Sequence, residues 1–246
     1  MNETNPIRSN IIRANSNRAS TAANIPCITD AQIGIHKNLE SVVKKHFSNQ
    51  HKKPISKHTQ QAFDDVKGRV EAHLEKSKPL IFDSCCGTAM STQIIAKENP
   101  TALVIGIDRS AVRLAKESNL QLADNIILVQ AECADFWTLA VEAGWKLQKH
   151  TLLYPNPYPK SKHLKRRWHG HPAFPNLLAL GGDIELRSNW KVYMDEFCAA
   201  INYAKSESHT CDGVETIQVK DPLTLFEKKY QESDQTLYRC SVSFNK

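Results

Sequence analysis

From residue 80 onward the chain repeats a short apolar run followed by a helical stretch, and this alternation limits the fold more than any other feature. Residues 80–82 read as a buried strand, 90–97 as a helix closed by Asn99-Pro100, and 102–107 as a second strand followed by a helix over 111–122. A third strand at 126–129 precedes a helix at 135–143, and a fourth strand covers 151–154. A loop, a short helix at 174–180, the Gly181-Gly182 turn, a strand at 184–187 and a helix at 190–203 complete the series. Strands linked by helical crossovers lie parallel in one sheet, with helices on both faces. Two later β-like runs, 214–219 and 236–243, have no long helix between them and can pair antiparallel at one edge. The expected fold is α/β, with one domain over residues 55–246.

The upstream chain differs in character. Residues 31–54 form a basic extension with Lys37, Lys44, Lys45, Lys52 and Lys53. A helix is expected at 39–47, and a second near Lys57, where Phe63, Val66, Val70 and Leu74 recur at helical spacing until Pro79 stops it. Residues 1–30 set Arg8, Arg13 and Arg18 among Asn and Ser, a composition that favours a flexible tail. The net charge of +6 is mild, so it points to a polyanionic partner only where it is concentrated. No apolar run reaches the length of a membrane span, and a cytoplasmic protein with no membrane partner is expected. The seven cysteines include no C-x-x-C pair, which argues against zinc and for inert thiols in a reducing compartment.

In open α/β sheets, ligands bind beyond the carboxyl ends of the strands. The first strand ends in Asp83-Ser84-Cys85-Cys86-Gly87-Thr88, and the second in Asp108, 21 residues after Gly87. An acid at that spacing can accept both ribose hydroxyls of an adenosine. A dinucleotide needs three glycines for its pyrophosphate, and Asp83 would repel a phosphate. S-adenosyl-L-methionine carries an amino group and a sulfonium and no phosphate, so the acids favour it. Glu132, after the third strand, stands where an acid can face the adenine edge. Each of these acids is equally consistent with a helix-entry or solvated position.

The fourth strand leads into Pro155-Asn156-Pro157-Tyr158-Pro159, in which three prolines fix the backbone and present Asn156. Lys160, Lys162, His163, Lys165, Arg166 and Arg167 follow, with Trp168 beside them, and no acid occurs between Glu142 and Asp183. Uncompensated charge beside aromatic rings suits a phosphate backbone and an unstacked base. His163, His169 and His171 lack a carboxylate or thiol to complete a ligand set, so no metal is expected.

The run from Tyr154 to Arg167 resembles the signature loop of tRNA (guanine-N7)-methyltransferases, P-D-P-W-x-K-x-R-H-x-K-R-R. Ser188-Asn189-Trp190-Lys191-Val192-Tyr193 resembles that family's T-D-x-x-x-Y segment, and Thr224-Leu225-Phe226-Glu227 its T-x-F-E motif, in the same order. The resemblance covers about residues 55–240. It implies a Rossmann-like class I methyltransferase fold, S-adenosyl-L-methionine as cofactor, and a variable-loop guanosine of tRNA as substrate. Asp83, Gly87, Asp108 and Glu132 would then serve the donor, and Asn156 would take the catalytic position. Lys160, Asn189, Thr224, Phe226 and Glu227 would bind substrate, and the stretch from Lys162 to Arg167 would meet RNA. The sequence departs from the pattern where Asn156 and Asn189 replace Asp and Tyr158 replaces Trp. Asn156-Pro157-Tyr158 also partly matches the N-P-P-Y loop of amino-methyltransferases, so methylation of another nucleic-acid nitrogen stands as an alternative, as does a paralogue that binds tRNA without methylating it.

Overall fold

The strand–helix alternation closes into one mixed sheet. The computed structural model describes residues 30–49, 53–117, 122–204 and 208–245. The expected tail with Arg8, Arg13 and Arg18, and the end of the helix expected at 111–122, lie outside the described residues.

Helices α1 (Leu39–Ser48) and α2 (Lys57–Leu74) precede the sheet. Strand β1 (Leu80–Ser84), helix α3 (Met90–Glu98), strand β2 (Leu103–Asp108) and a short helix α4 (Ala111–Leu114) follow. Then come β3 (Ile126–Gln130), α5 (Cys133–Glu142) and β4 (Lys149–Leu153). Two 3-10 turns, Ser161–Arg166 and Trp168–Gly170, lead to α6 (Phe174–Ala179), β5 (Asp183–Ser188) and α7 (Lys191–Ala204). The chain ends in β6 (His209–Ile217), α8 (Leu225–Glu232) and β7 (Leu237–Phe244). The sequence reading missed α8, whose eight residues include the charged run Glu227-Lys228-Lys229 and are too short for a strong period.

Among the described residues, the sheet order is β3-β2-β1-β4-β5-β7-β6. The first five strands are parallel, and β7 runs antiparallel to both β5 and β6, which gives the expected edge. Every residue of β1 and β2 is buried, as parallel strands covered on both faces require. Phe82 and Ile105 join Phe63, Phe136 and Trp145 in the larger core, while Ile81 and Val104 pack with Ile95 and Ala96 of α3 in the smaller one. At Gly106 an added Cβ would lie 2.7 Å from the Thr92 hydroxyl, so glycine lets α3 approach β2.

The structure overturns the reading of all cysteines as inert thiols. Helix α7 packs beside β6, and Cys198 and Cys211 form a disulfide with their Cα atoms 5.5 Å apart. Their sequence separation is 13, and they sit on different elements, so spacing alone did not reveal the pair.

Candidate functional site

Strand order reverses between β1 and β4, the switch point at which open α/β sheets bind ligands. A cavity of about 730 Å³ opens there, walled by the turns after β1, β2, β3 and β4 and by α8.

The turn after β1 is tightly wound. Cys85, Gly87 and Ala89 all have left-handed backbone, at φ 63°, 61° and 61°. For Cys85 and Ala89 that conformation costs energy, and such strain collects where a backbone must follow a ligand. The Cys86 amide donates to the Ile107 carbonyl at 3.1 Å and the Gly87 amide to Asp108 Oδ2 at 3.0 Å, which ties the turn to the end of β2. A Cβ at Gly87 would meet nothing within 4 Å, so the turn leaves open space above its backbone.

Asp108 is 2 % exposed on the cavity wall. Oδ1 accepts from the Ser110 amide at 2.8 Å and pairs with Arg113 at 3.0 Å. Glu132 occupies the N-cap position of α5 without a side-chain capping bond and is exposed on the rim. Asp83 lies elsewhere. It is fully buried, does not line the cavity, and accepts from Ser91 at 2.6 Å, Thr92 at 2.7 Å and Thr151 at 2.9 Å. Burial raises its carboxyl pKa against the pull of those hydroxyls. The expectation that Asp83 touches a donor is therefore corrected: its carboxylate holds α3 and β4 together under the turn.

The loop after β4 forms the opposite wall. Tyr154 has φ 52° and extends the ladder by donating its amide to the Arg187 carbonyl at 2.9 Å. Asn156 is exposed on the cavity, and its Oδ1 accepts from the Tyr158 amide at 3.2 Å. That Asx turn fixes the amide and leaves its N–H groups for a ligand. Tyr158, Trp168, Phe226 and Tyr230 add aromatic surface, with Phe226 49 % exposed.

The basic run divides by burial. Lys165 and Arg166 are exposed on the rim, and Arg166 lies 5.7 Å from the Tyr158 ring centroid in a cation–π contact. Lys162 is exposed and His163 half-buried beside Tyr158, while Lys160 pairs with Asp30 at 3.3 Å, all three outside the cavity lining. Arg167 is 1 % exposed and pairs with buried Glu196. Its other hydrogens reach the Tyr158 carbonyl at 3.1 Å and 3.2 Å, the Lys160 carbonyl at 3.2 Å and Gln32 at 3.1 Å. Arg167 therefore braces the loop from below and does not meet solvent, a second correction.

Asn189 lines the cavity and donates to Gln235 at 2.7 Å. Thr224 caps α8 by accepting from the Glu227 amide at 3.0 Å and also lines the cavity. Glu227 is fully buried and accepts from Tyr154 at 2.8 Å, Arg187 at 3.0 Å and the Leu223 amide at 2.6 Å. It anchors α8 to the loop and lies buried outside the cavity lining, a third correction. Arg113, Lys53 and Tyr230 also line the cavity and escaped the sequence reading, because none of the three falls at a motif position.

Residues 77–240 match a family model described as "Putative methyltransferase". The tRNA (guanine-N(7)-)-methyltransferase of Francisella philomiragia is 25 % identical over 198 residues, covering 73 % of this chain and 86 % of that protein. The enzyme of the same description from Ectopseudomonas mendocina is 27 % identical, covering 68 % and 70 %. Among solved structures, the 16S rRNA methyltransferase KamB superposes with a TM-score of 0.56 at 15 % identity, covering 72 % of this chain and 92 % of that one. An antibiotic-related methyltransferase superposes at 0.55 with 14 % identity, covering 71 % and 92 %. At these identities the two structures show the fold alone.

Proposed function

The chain belongs to this methyltransferase family, and from that premise we propose that it methylates N7 of a guanosine in the variable loop of tRNA, with S-adenosyl-L-methionine as donor. The observation that carries the reading is the meeting of two signatures in one cavity: the strained turn with Asp108, and the rigid Asn156 loop with Lys165 and Arg166 on its rim. The sequence resemblance and the descriptions of the relatives support the same substrate.

The residues present fit the donor. The open space above Gly87 leaves room that a side chain would fill, and no phosphate-binding glycine run is needed. Asp108 uses three of its roughly four acceptor sites on Gly87, Ser110 and Arg113, so a ribose hydroxyl can share the remainder or displace the half-exposed Arg113. Glu132 supplies a second acceptor on the rim. When bound, the donor supplies an electrophilic methyl on a sulfonium.

Guanine N7 offers a lone pair, so no proton has to leave before attack, and catalysis reduces to orientation. Asn156, with Oδ1 held by Tyr158, donates Nδ2–H to guanine O6 and sets the ring plane. Tyr158, Trp168 and Phe226 offer faces for an unstacked base, while Lys162, Lys165 and Arg166 meet phosphates. Among the described residues no helix is long and apolar enough to cross a membrane. The test is chemical mapping. After incubation of the protein with unmodified tRNA and donor, borohydride reduction and aniline scission should cut the tRNA at one variable-loop guanosine. Scission elsewhere would reject the site, and no scission would reject N7 chemistry.

A further inference from the structure

Three sulfur atoms converge on the antiparallel side of the sheet, outside the cavity. Cys198 comes from α7, Cys211 from β6 and Cys240 from β7. All three sulfurs lie within 4.8 Å of one another, with Cys240 Sγ 3.6 Å from Cys211 Sγ. The local fold brings them together. A bulge between Cys211 and Gly213, where Gly213 has φ 112°, shifts β6 against β7, and α7 packs on both strands. Cys198 and Cys211 are half-buried and Cys240 is buried, so the cluster has one accessible side and one dry side.

We propose that, once the Cys198–Cys211 bond is reduced, Cys198, Cys211 and Cys240 form a three-thiolate site for copper(I). The sulfur geometry sets the class of ion. A metal about 2.3 Å from each of three sulfurs in a plane places them about 4 Å apart, within the spread of this cluster. Among the described residues no histidine or carboxylate completes the group, which disfavours tetrahedral zinc and favours a soft cation satisfied by thiolates. Asp195 and Asp212 act on Cys240 electrostatically, adding negative potential beside the sulfurs. The chemistry balances: a dithiol reductant delivers two electrons and two protons to the bridge and is itself oxidised to a disulfide. The cation then releases up to three thiol protons to solvent.

The test uses the full chain, reduced and desalted without oxygen, then titrated with copper(I) presented as its coloured bicinchoninate complex. The wild type should withdraw one equivalent. A C85A/C133A variant should withdraw the same amount, which excludes the cysteine pair in the cavity, whose sulfurs lie 3.9 Å apart. C240S and C198S should each bind at least tenfold more weakly, with circular dichroism and tRNA binding unchanged. Zinc(II) should not compete at equal concentration. Unaltered copper uptake by C240S, no uptake by the reduced wild type, or preferential retention of zinc would each overturn the proposal.

Discussion

On the proposed reading, Asn156 takes the place of an acid that would put a negative charge beside the cationic 7-methylguanine product, and its neutral amide can only orient. Asn156→Ala should lower kcat by about 100-fold while the calorimetric affinity for S-adenosyl-L-methionine stays unchanged, since the loss is one oriented donor. An equal kcat in the variant would remove Asn156 from the mechanism. Two neighbouring arginines separate by position. Arg167→Ala leaves Glu196 buried and unpaired and should cost about 3–5 kcal/mol of unfolding free energy in denaturant melts. Arg166→Ala should leave stability within about 0.5 kcal/mol, because the side chain is exposed, and should weaken tRNA binding instead. In the sequence both belong to one uniform charge run. Nothing local marks Arg167 as buried, because its partner Glu196 lies 29 residues downstream and meets it only when α7 packs beneath the loop. Glu227 and Asp83 were misplaced for the same reason: a motif position shows that a residue matters, not which way it faces.

The basic ridge over Ser161–Arg166 and helix α8 flank the cavity as two separate elements. Removing Lys162, Lys165 and Arg166 together should flatten the dependence of log affinity on log salt by about 0.7–0.9 for each phosphate that is no longer neutralised, read in a tRNA-binding titration at several salt concentrations. An unchanged slope would mean that these side chains are merely solvated. Helix α8 depends on its cap, and Thr224→Ala should cost about 1 kcal/mol, seen as a lower denaturation midpoint. The long parallel elements were legible because apolar runs such as 80–82 and 102–107 alternate with helical periods. The 3-10 turns and α8 were not, because short pieces are set by tertiary anchors such as Leu164, Glu227 and the prolines.

The whole molecule carries its pH response in buried groups outside the cavity lining. Glu196 sits at about 2, where burial alone would raise it but His169, Gln32 and Arg167 together lower it further. A depressed carboxylate stabilises the fold above its unfolded value near 4.5, and that stability is lost as pH falls from there toward 2. His150, buried against Ser84, is lowered to about 3 by burial, so the unfolded chain takes up that proton first and stability declines from pH 6.5 downward. Both effects have the same sign, and thermal melts should show the midpoint falling continuously below pH 6.5, more steeply below 4.5. A flat profile between pH 7 and 4 would contradict the placement of these groups. The parallel sheet and its antiparallel edge followed from the strand–helix series, whereas the Cys198–Cys211 bridge did not, since it depends on how α7 lies across β6.

The central claim is that one cavity joins an S-adenosyl-L-methionine site to an Asn156 loop that orients guanine. It is tested most directly by incubating the purified protein with methyl-labelled donor and unmodified tRNA, digesting the RNA and identifying the labelled nucleoside. The account predicts label in 7-methylguanosine alone. Label in another nucleoside, or none from protein that binds both donor and tRNA, would contradict it.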